Sequence, residues 1–97
     1  MNNMSPLLSI IIATRNCADD LKKTLDSISQ TIWDVTYEII IQDGNSSDHT
    51  LSVAASYPQL NLHVESSPDT GVYDAWNKAV QRASGEWILF MGAGDFL

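Results

Sequence analysis

Basic residues are scarce in this sequence, and their scarcity excludes several kinds of partner. Lysine and arginine together number five, against twelve aspartates and glutamates, so the formal net charge is −7. A chain this acidic has nothing to follow the phosphates of a nucleic acid, and it has no polybasic patch for an anionic membrane surface. We therefore expect no nucleic-acid partner.

Cysteine and long apolar runs are also lacking. Cys17 is the single cysteine, which excludes an internal disulfide and favours a reducing compartment. No apolar run reaches the roughly 18 residues of a membrane span, and the N-terminal residues lack the basic start of a signal peptide. These absences predict a cytoplasmic protein, and the length of 97 residues predicts a single domain.

Glycine is absent where the common phosphate-binding motifs need it. Residues 13–18 read Ala-Thr-Arg-Asn-Cys-Ala after the first predicted strand, whereas a dinucleotide-binding Rossmann domain has Gly-x-Gly-x-x-Gly at that point. A P-loop is absent too, and so is the acidic pair that a phosphorelay receiver domain has after its first strand. The sequence therefore excludes these three classes of protein.

The hydrophobic pattern predicts strands and helices in alternation. Apolar or alternating segments predict four strands, at residues 7–13, 37–42, 61–65 and 87–91. Apolar residues spaced by three and four predict helices at residues 17–30, 51–55 and 72–83. Such alternation implies a mainly parallel sheet with helices on its faces, joined by right-handed crossovers. We predict an α/β fold of three layers, α/β/α.

Capping and breaking residues predict where the helices begin and end. Asn16 is the expected N-cap of the first helix, and Asp69 or Thr70 is the expected N-cap of the third. Pro58 should end the second helix, and Gly85 should end the third.

Polar residues follow every predicted strand. Thr14 and Arg15 follow the first, Asp43 the second, Asp69 the third and Asp95 the fourth. Because parallel strands end at the same edge of a sheet, we expect these residues on one exposed edge, where open α/β sheets bind their ligands. Acidic residues there could hold a divalent cation that carries an anionic ligand. Polar loops and helix caps would also explain many of these residues, so a binding role and a structural role both remain open.

The remaining reactive side chains fit structural roles better than catalytic ones. His49 lies at a predicted helix start and His63 in an alternating strand, without metal-ligand spacing between them. Cys17 has no histidine or lysine placed to activate it, so we interpret it as an unreactive thiol.

Four segments of the chain resemble, in order, the motifs of the family 2 (GT-A fold) glycosyltransferases. They are residues 9–16, 41–50, 67–78 and 83–95. The block Pro-Asp-Thr-Gly-Val-Tyr-Asp-Ala-Trp-Asn is especially similar to bacterial exopolysaccharide and colanic-acid type members. The resemblance covers nearly the whole chain and implies the Rossmann-like, nucleotide-binding half of a GT-A fold.

The resemblance also implies a site for a nucleoside-diphosphate sugar, with a UDP-sugar the favoured donor. Thr14 would help to cradle the nucleoside, with Arg15 beside it, and Asp43 would contact the base or ribose. Asp69 would begin the loop and helix next to the nucleotide. Asp95 resembles the second acid of the family's DxD-like motif, which holds Mg²⁺ or Mn²⁺ on the diphosphate.

Two departures from the family pattern limit this expectation. Gly94 stands where the first acid of the DxD-like motif usually is. The family's acceptor-binding half, with the carboxylate that acts as base, would lie beyond Leu97. We therefore expect residues 1–97 to be one N-terminal nucleotide-sugar-binding subdomain with no catalytic base and no transfer activity alone. Uncovered apolar surface at the fourth strand would favour self-association.

The longer protein is expected to transfer a sugar, with inversion, to a saccharide or lipid-linked acceptor in polysaccharide biosynthesis. It would be cytoplasmic or peripheral at the inner membrane. Two other interpretations stay open: a stand-alone nucleotide- or metal-binding module without catalysis, and an α/β interaction domain whose polar edge serves only for capping.

Overall fold

The computed structural model describes residues 6–31 and 33–93, in which strands and helices alternate along the chain. The strands are β1 (Leu8–Thr14), β2 (Tyr37–Asp43), β3 (Leu62–Ser66) and β4 (Trp87–Gly92). The helices are α1 (Ala18–Gln30), α2 (Thr50–Ala55) and α3 (Val72–Arg82). Each predicted element is present, and its bounds differ from the prediction by no more than one residue.

The four strands form one parallel sheet. Their order is β3-β2-β1-β4, and every neighbouring pair in the described residues is parallel. Helices α1 and α2 pack on one face of the sheet, whereas α3 packs on the other. The predicted α/β class, the mainly parallel sheet and the three layers are therefore confirmed.

The two central strands are covered on both faces, which explains why their sequences lack polar alternation. Ile10 and Ile12 pack against Leu21 and Leu25 of α1, while Ile11 packs with Ile40 and Ala79 under α3. All three isoleucines of β1 are completely buried. A strand buried on both faces is apolar at every position, as is typical of the centre of parallel sheets.

The start of α1 differs from the prediction. Its N-cap is Cys17, without a side-chain hydrogen bond, so the assignment of Asn16 as N-cap is wrong. Asn16 has a φ of 48°, and its Oδ1 accepts hydrogen bonds from the backbone N–H groups of Ser47 (2.7 Å) and Asp48 (3.3 Å). In return, Asp48 Oδ2 accepts the N–H of Ala18 at 3.3 Å. The loop between β1 and α1 and the loop between β2 and α2 therefore satisfy each other's polar groups.

The ends of α3 also differ from the prediction. Its N-cap is Gly71, with a φ of 133°, so neither Asp69 nor Thr70 is the N-cap. The helix ends at Arg82 rather than at Gly85. A Cβ at Gly85 would lie 2.6 Å from Ser9 Oγ and 2.8 Å from a backbone carbon of Leu8, so glycine is needed there for close packing.

None of the helices in the described part of the chain combines the length and hydropathy needed to cross a bilayer.

Candidate functional site

The carboxyl ends of three strands lie side by side, as predicted. Thr14, Asp43 and Ser66 end β1, β2 and β3, and each is paired in register with its neighbour. Thr14 Oγ1 donates a hydrogen bond of 2.6 Å to Asp43 Oδ1. The loop after β3 brings Asp69 to the same edge, where a Cβ added to Gly44 would lie only 2.7 Å from its carboxylate.

Asp43 is completely buried at this edge, so the expectation that it lies on the exposed rim is wrong. Thr14 Oγ1 and Ser46 Oγ each donate to its Oδ1 at 2.6 Å. Ser46 N–H and Ser66 Oγ each donate to its Oδ2 at 2.8 Å. The physical reason is that hydroxyl groups from three segments surround the carboxylate and replace its water. Its acceptor positions are filled from within the protein.

Asp43 is nevertheless held in its ionised form. Burial raises the pKa of its carboxyl group, but hydrogen bonds from Ser46, Thr14 and Ser66 favour the charge and leave the pKa below its ordinary value. An ionised carboxylate with four donors ties the ends of β1, β2 and β3 to one point. Asp43 therefore gives this edge a fixed geometry.

A pocket of about 280 Å³ opens beside this group, between the end of β1 and the start of α3. It is lined by Ala13, Thr14, Arg15, Asp69, Gly71, Val72 and Ala75. Three of the four predicted nucleotide-binding residues are thus brought together in one pocket. The fourth, Asp43, is not part of the lining and reaches it through its hydrogen bond to Thr14.

The wall of the pocket combines one cation, one anion and apolar surface. Arg15 is exposed at the mouth, and Asp69 is half-buried opposite it. Asp69 Oδ1 accepts the N–H of Gly71 at 3.1 Å. Val72 and Ala75 add apolar surface from α3. A guanidinium can bind a phosphate, a carboxylate can accept N–H or O–H groups, and the apolar wall can pack on a flat ring.

Gly44 has a role that the sequence did not predict. It is buried, and its backbone lies outside the left-handed region, so it is not needed for a special turn. Instead, a Cβ at this position would lie 2.7 Å from Asp69 Oδ2, closer than real Cβ contacts allow. The absence of a side chain at Gly44 lets the Asp69 carboxylate take its place in the pocket wall.

Ser46 and Ser66 were also missed as parts of the site. Ser46 follows Asp43 by three residues, a spacing at which a serine commonly bonds an aspartate in a turn, and this was the available signal. Ser66 comes from another strand, 23 residues along the chain, so no local pattern could indicate its contact.

Cys17 and His63 are not among the residues that line this pocket. Burial raises the pKa of the Cys17 thiol, and the nearby carboxylates of Asp48, Asp43 and Asp20 add to this effect. A raised pKa disfavours the thiolate, which is the nucleophilic form. His63 lies 3.9 Å from the Glu38 carboxylate on the outer strand β3, well away from the pocket residues.

Comparison with known families follows the same segments. Residues 9–97 match the family described as Glycosyl transferase family 2. The chain belongs to this family. A PGL/p-HBAD biosynthesis glycosyltransferase of Mycobacterium bovis (strain BCG / Pasteur 1173P2) is 45% identical, over an alignment that covers 96% of this chain and 37% of that protein. The uncharacterized glycosyltransferase YibD of Escherichia coli K12 is 31% identical, over 98% of this chain and 28% of its own length. This chain thus spans only 37% and 28% of the lengths of these two relatives.

Solved structures agree with the fold. Staphylococcus aureus TarS 1-349 in complex with UDP-GlcNAc has a TM-score of 0.85 and 28% identity, over 96% of this chain and 27% of that one. The mannosyltransferase PcManGT from Pyrobaculum calidifontis, in complex with GDP-Man and Mn²⁺, has a TM-score of 0.82 and 26% identity. The match covers 97% of this chain and 29% of the mannosyltransferase chain. The predicted GT-A type of α/β fold is confirmed.

The metal site predicted from the family's DxD-like motif lies outside the described residues, since both Gly94 and Asp95 do. Within residues 6–31 and 33–93, no three side chains of the usual ligating types come together as a metal site. Asp43, the acid fixed at this edge, already accepts four hydrogen bonds. The described residues of the family 2 domain therefore do not form a metal site by themselves.

Proposed function

We propose that residues 1–97 form the nucleotide-sugar-binding subdomain of a family 2 glycosyltransferase. The observation that carries this proposal is the pocket at the carboxyl edge of the sheet, lined by Thr14, Arg15 and Asp69. Open α/β sheets bind ligands at this edge. The UDP-GlcNAc and GDP-Man complexes of two similar structures support a nucleotide-sugar donor.

The pocket wall suggests how such a donor would bind. Arg15 supplies positive charge for the diphosphate, and the apolar surface of Val72 and Ala75 packs against the base. Asp69 Oδ1 is engaged with Gly71, whereas Oδ2 has no hydrogen-bond donor among the described residues. One carboxylate oxygen suits uracil, which presents a single N–H between two carbonyl groups, whereas guanine presents a ring N–H and an amino group side by side. A UDP-sugar is therefore the favoured donor. Direct contact between Asp43 and the nucleoside remains a prediction from the family motif.

The chemical step needs a base, and we propose none among the described residues. Transfer with inversion requires a base within about 2.6–3.2 Å of the acceptor hydroxyl. Asp43 is unsuited because its pKa is lowered and its oxygens are occupied. We assign the base to the remainder of the full-length protein, and we expect residues 1–97 alone to be inactive in transfer.

A divalent cation, Mg²⁺ or Mn²⁺, is proposed as cofactor, with Asp95 as its protein ligand. The Mn²⁺ in the PcManGT complex supports this choice. When bound, such an ion would neutralise charge on the leaving nucleoside diphosphate. The described residues of the pocket would then hold the nucleoside, with Arg15 toward the diphosphate.

The acceptor is proposed to be a saccharide or a lipid-linked saccharide in bacterial exopolysaccharide synthesis of the colanic-acid type. The support is the block at residues 68–77, whereas the mycobacterial relatives are named for PGL/p-HBAD biosynthesis. The protein would work in the cytoplasm or at the inner face of the membrane.

Self-association through β4 is part of the same proposal. Trp87, Ile88 and Phe90 of this edge strand are 68%, 40% and 44% exposed. Tyr73 of α3 is 75% exposed and lies in edge-to-face contact with Trp76, which in turn packs on Phe90. An edge strand with this much apolar surface favours pairing with a second copy.

Titration calorimetry of the full-length protein with UDP and with GDP, each with and without Mn²⁺, tests the donor assignment. Binding of UDP, strengthened by Mn²⁺, is expected. Donor turnover with a lipid-linked acceptor, compared between residues 1–97 and the full-length protein, tests whether the catalytic base lies outside residues 1–97. Absence of heat with every nucleotide would refute the function, and sustained transfer by residues 1–97 would refute the placement of the base.

A further inference from the structure

The segment that carries Asp69 into the pocket has no regular structure of its own. Residues 67–71 connect β3 to α3, and Gly71, the N-cap of α3, makes no side-chain capping hydrogen bond. A segment of this kind keeps one conformation only if other groups hold its backbone. The Ser67 N–H donates to the Asp43 carbonyl oxygen at 3.0 Å, and the Gly71 N–H donates to Asp69 itself. Two side chains of α3 hold the rest of this backbone.

Lys78 holds the first half of the segment. Its Nζ donates a hydrogen bond of 2.7 Å to the carbonyl oxygen of Pro68 and lies 3.4 Å from Ser67 Oγ. Pro68 directly precedes Asp69, so this contact fixes the backbone on one side of the pocket carboxylate.

Asp74 holds the second half. Its Oδ2 accepts the backbone N–H of Thr70 at 3.0 Å, which directly follows Asp69. Asp74 is the third residue of α3, and a carboxylate at that position commonly reaches back to the residues before the helix. The two backbone contacts therefore lie on either side of Asp69.

Lys78 and Asp74 are also partners of each other. Their charged groups are 3.5 Å apart at i and i+4 on α3, and their side chains are 35% and 34% exposed. A pair that is partly open to water contributes little to stability. Its geometry instead keeps both side chains aimed at the segment that they hold.

We propose that Lys78 and Asp74 are positioning residues that set the Asp69 carboxylate for the nucleotide. They do not line the pocket, and they act through the backbone on either side of Asp69. The proposal rests on the proposed function, because it names how that same pocket is kept in its binding geometry.

The test compares Lys78→Ala with a matched control, Lys22→Ala. Lys22 forms the corresponding i,i+4 pair with Asp26 on α1 at 2.9 Å, but this pair lies on α1, away from the segment at residues 67–71. For Lys78→Ala we expect the Kd for UDP to rise about tenfold, with a melting temperature close to that of Lys22→Ala. Lys78→Arg should restore most of the affinity, because a guanidinium can also donate to the Pro68 carbonyl.

Amide hydrogen exchange without nucleotide supplies an independent readout. Lys78→Ala should accelerate exchange at Thr70 and Gly71, whereas Lys22→Ala should leave it unchanged. Unchanged exchange and unchanged Kd in Lys78→Ala, while Asp69→Asn weakens UDP binding, would overturn this inference and leave the proposed function standing. A lowered melting temperature that accounts for the lost affinity, without rescue by arginine, would also overturn it. Absence of UDP binding by the unmodified protein would overturn both proposals.

Discussion

Two aspartates at the carboxyl edge of the sheet have opposite surroundings. Asp43 is completely buried and accepts four hydrogen bonds, whereas Asp69 is half-buried and has one oxygen directed to no described donor. The sequence predicts both as ligand contacts because each follows a strand. It cannot separate them, because the hydroxyl groups of Thr14 and Ser66 reach Asp43 from other strands. Long-range contacts thus decide which carboxylate is available to a ligand.

Asp43→Asn should lower the free energy of unfolding by about 1–3 kcal/mol, because the amide would place N–H groups against hydroxyl and backbone donors. An aspartate on an exposed edge could be replaced with little loss of stability, but Asp43 is completely buried. Urea denaturation measures the change. Asp48→Asn is the control, since Asp48 is exposed and an amide oxygen can still accept the Thr50 N–H. Equal stability of the two variants would contradict the assignment.

Acid should weaken the fold through two buried carboxylates. Burial raises the pKa of Glu38, but hydrogen bonds from Ser84 and Ser9 lower it by more. The pKa of Glu38, like that of Asp43, is therefore below its ordinary value. A carboxyl group with a lowered folded-state pKa stabilises the fold above its unfolded-state pKa and loses this effect as pH falls. The urea concentration at the midpoint of unfolding should therefore decrease as the pH is lowered below about 4. The decrease should be less steep for Asp43→Asn. Identical slopes for both proteins would refute this prediction.

Close approach between elements explains the glycines better than turn geometry does. Gly44 leaves room for the Asp69 side chain, and Gly85 leaves room for the backbone of β1. Strands and helices were predictable to within one residue because their apolar residues follow a regular spacing in the sequence. These residues are consecutive in the buried strands and three or four apart in the helices. The N-cap of α1 was not predictable, because Asn16 bonds groups 31 and 32 residues away instead of capping the helix. A capping residue is recognisable locally, but its partner is not.

Gly44→Ala should displace the Asp69 carboxylate and weaken UDP binding without unfolding the protein, because the obstructed atoms belong to the end of a side chain. Gly85→Ala should have the opposite effects on stability and on binding. The new methyl group would meet backbone atoms, so stability should fall by about 1–3 kcal/mol while the pocket residues stay unchanged. Calorimetry and thermal unfolding of the two variants separate the effects. Full affinity in Gly44→Ala would contradict the proposed position of Asp69.

At the scale of the whole molecule, the sheet has one polar outer strand and one apolar one. Three of the five residues of β3 are polar or charged and exposed, whereas β4 exposes Trp87, Ile88 and Phe90. The net charge of −7 opposes nonspecific aggregation but does not cover an apolar strand. We therefore place the contact between copies at β4.

Ile88→Lys should abolish this contact, because a lysine on an edge strand opposes pairing. Val64→Lys is the matched control, since Val64 is 42% exposed on β3, at the other edge of the sheet, against 40% for Ile88. Sedimentation velocity over a range of concentrations should show dimers for the unmodified chain and for Val64→Lys, and monomers for Ile88→Lys. A monomer at every concentration would refute self-association.

The central claim is that the pocket beside Asp69 holds a nucleoside diphosphate. Titration of UDP into the full-length protein, into Asp69→Asn and into Asp34→Asn tests it most directly. Asp34 is the control, because it is an exposed aspartate in the segment before β2, at the end of the strands opposite to the pocket. We predict that Asp69→Asn binds UDP about tenfold more weakly. Asp34→Asn, with the same change of charge, should bind as the unmodified protein does. Equal affinities in all three proteins would contradict the account.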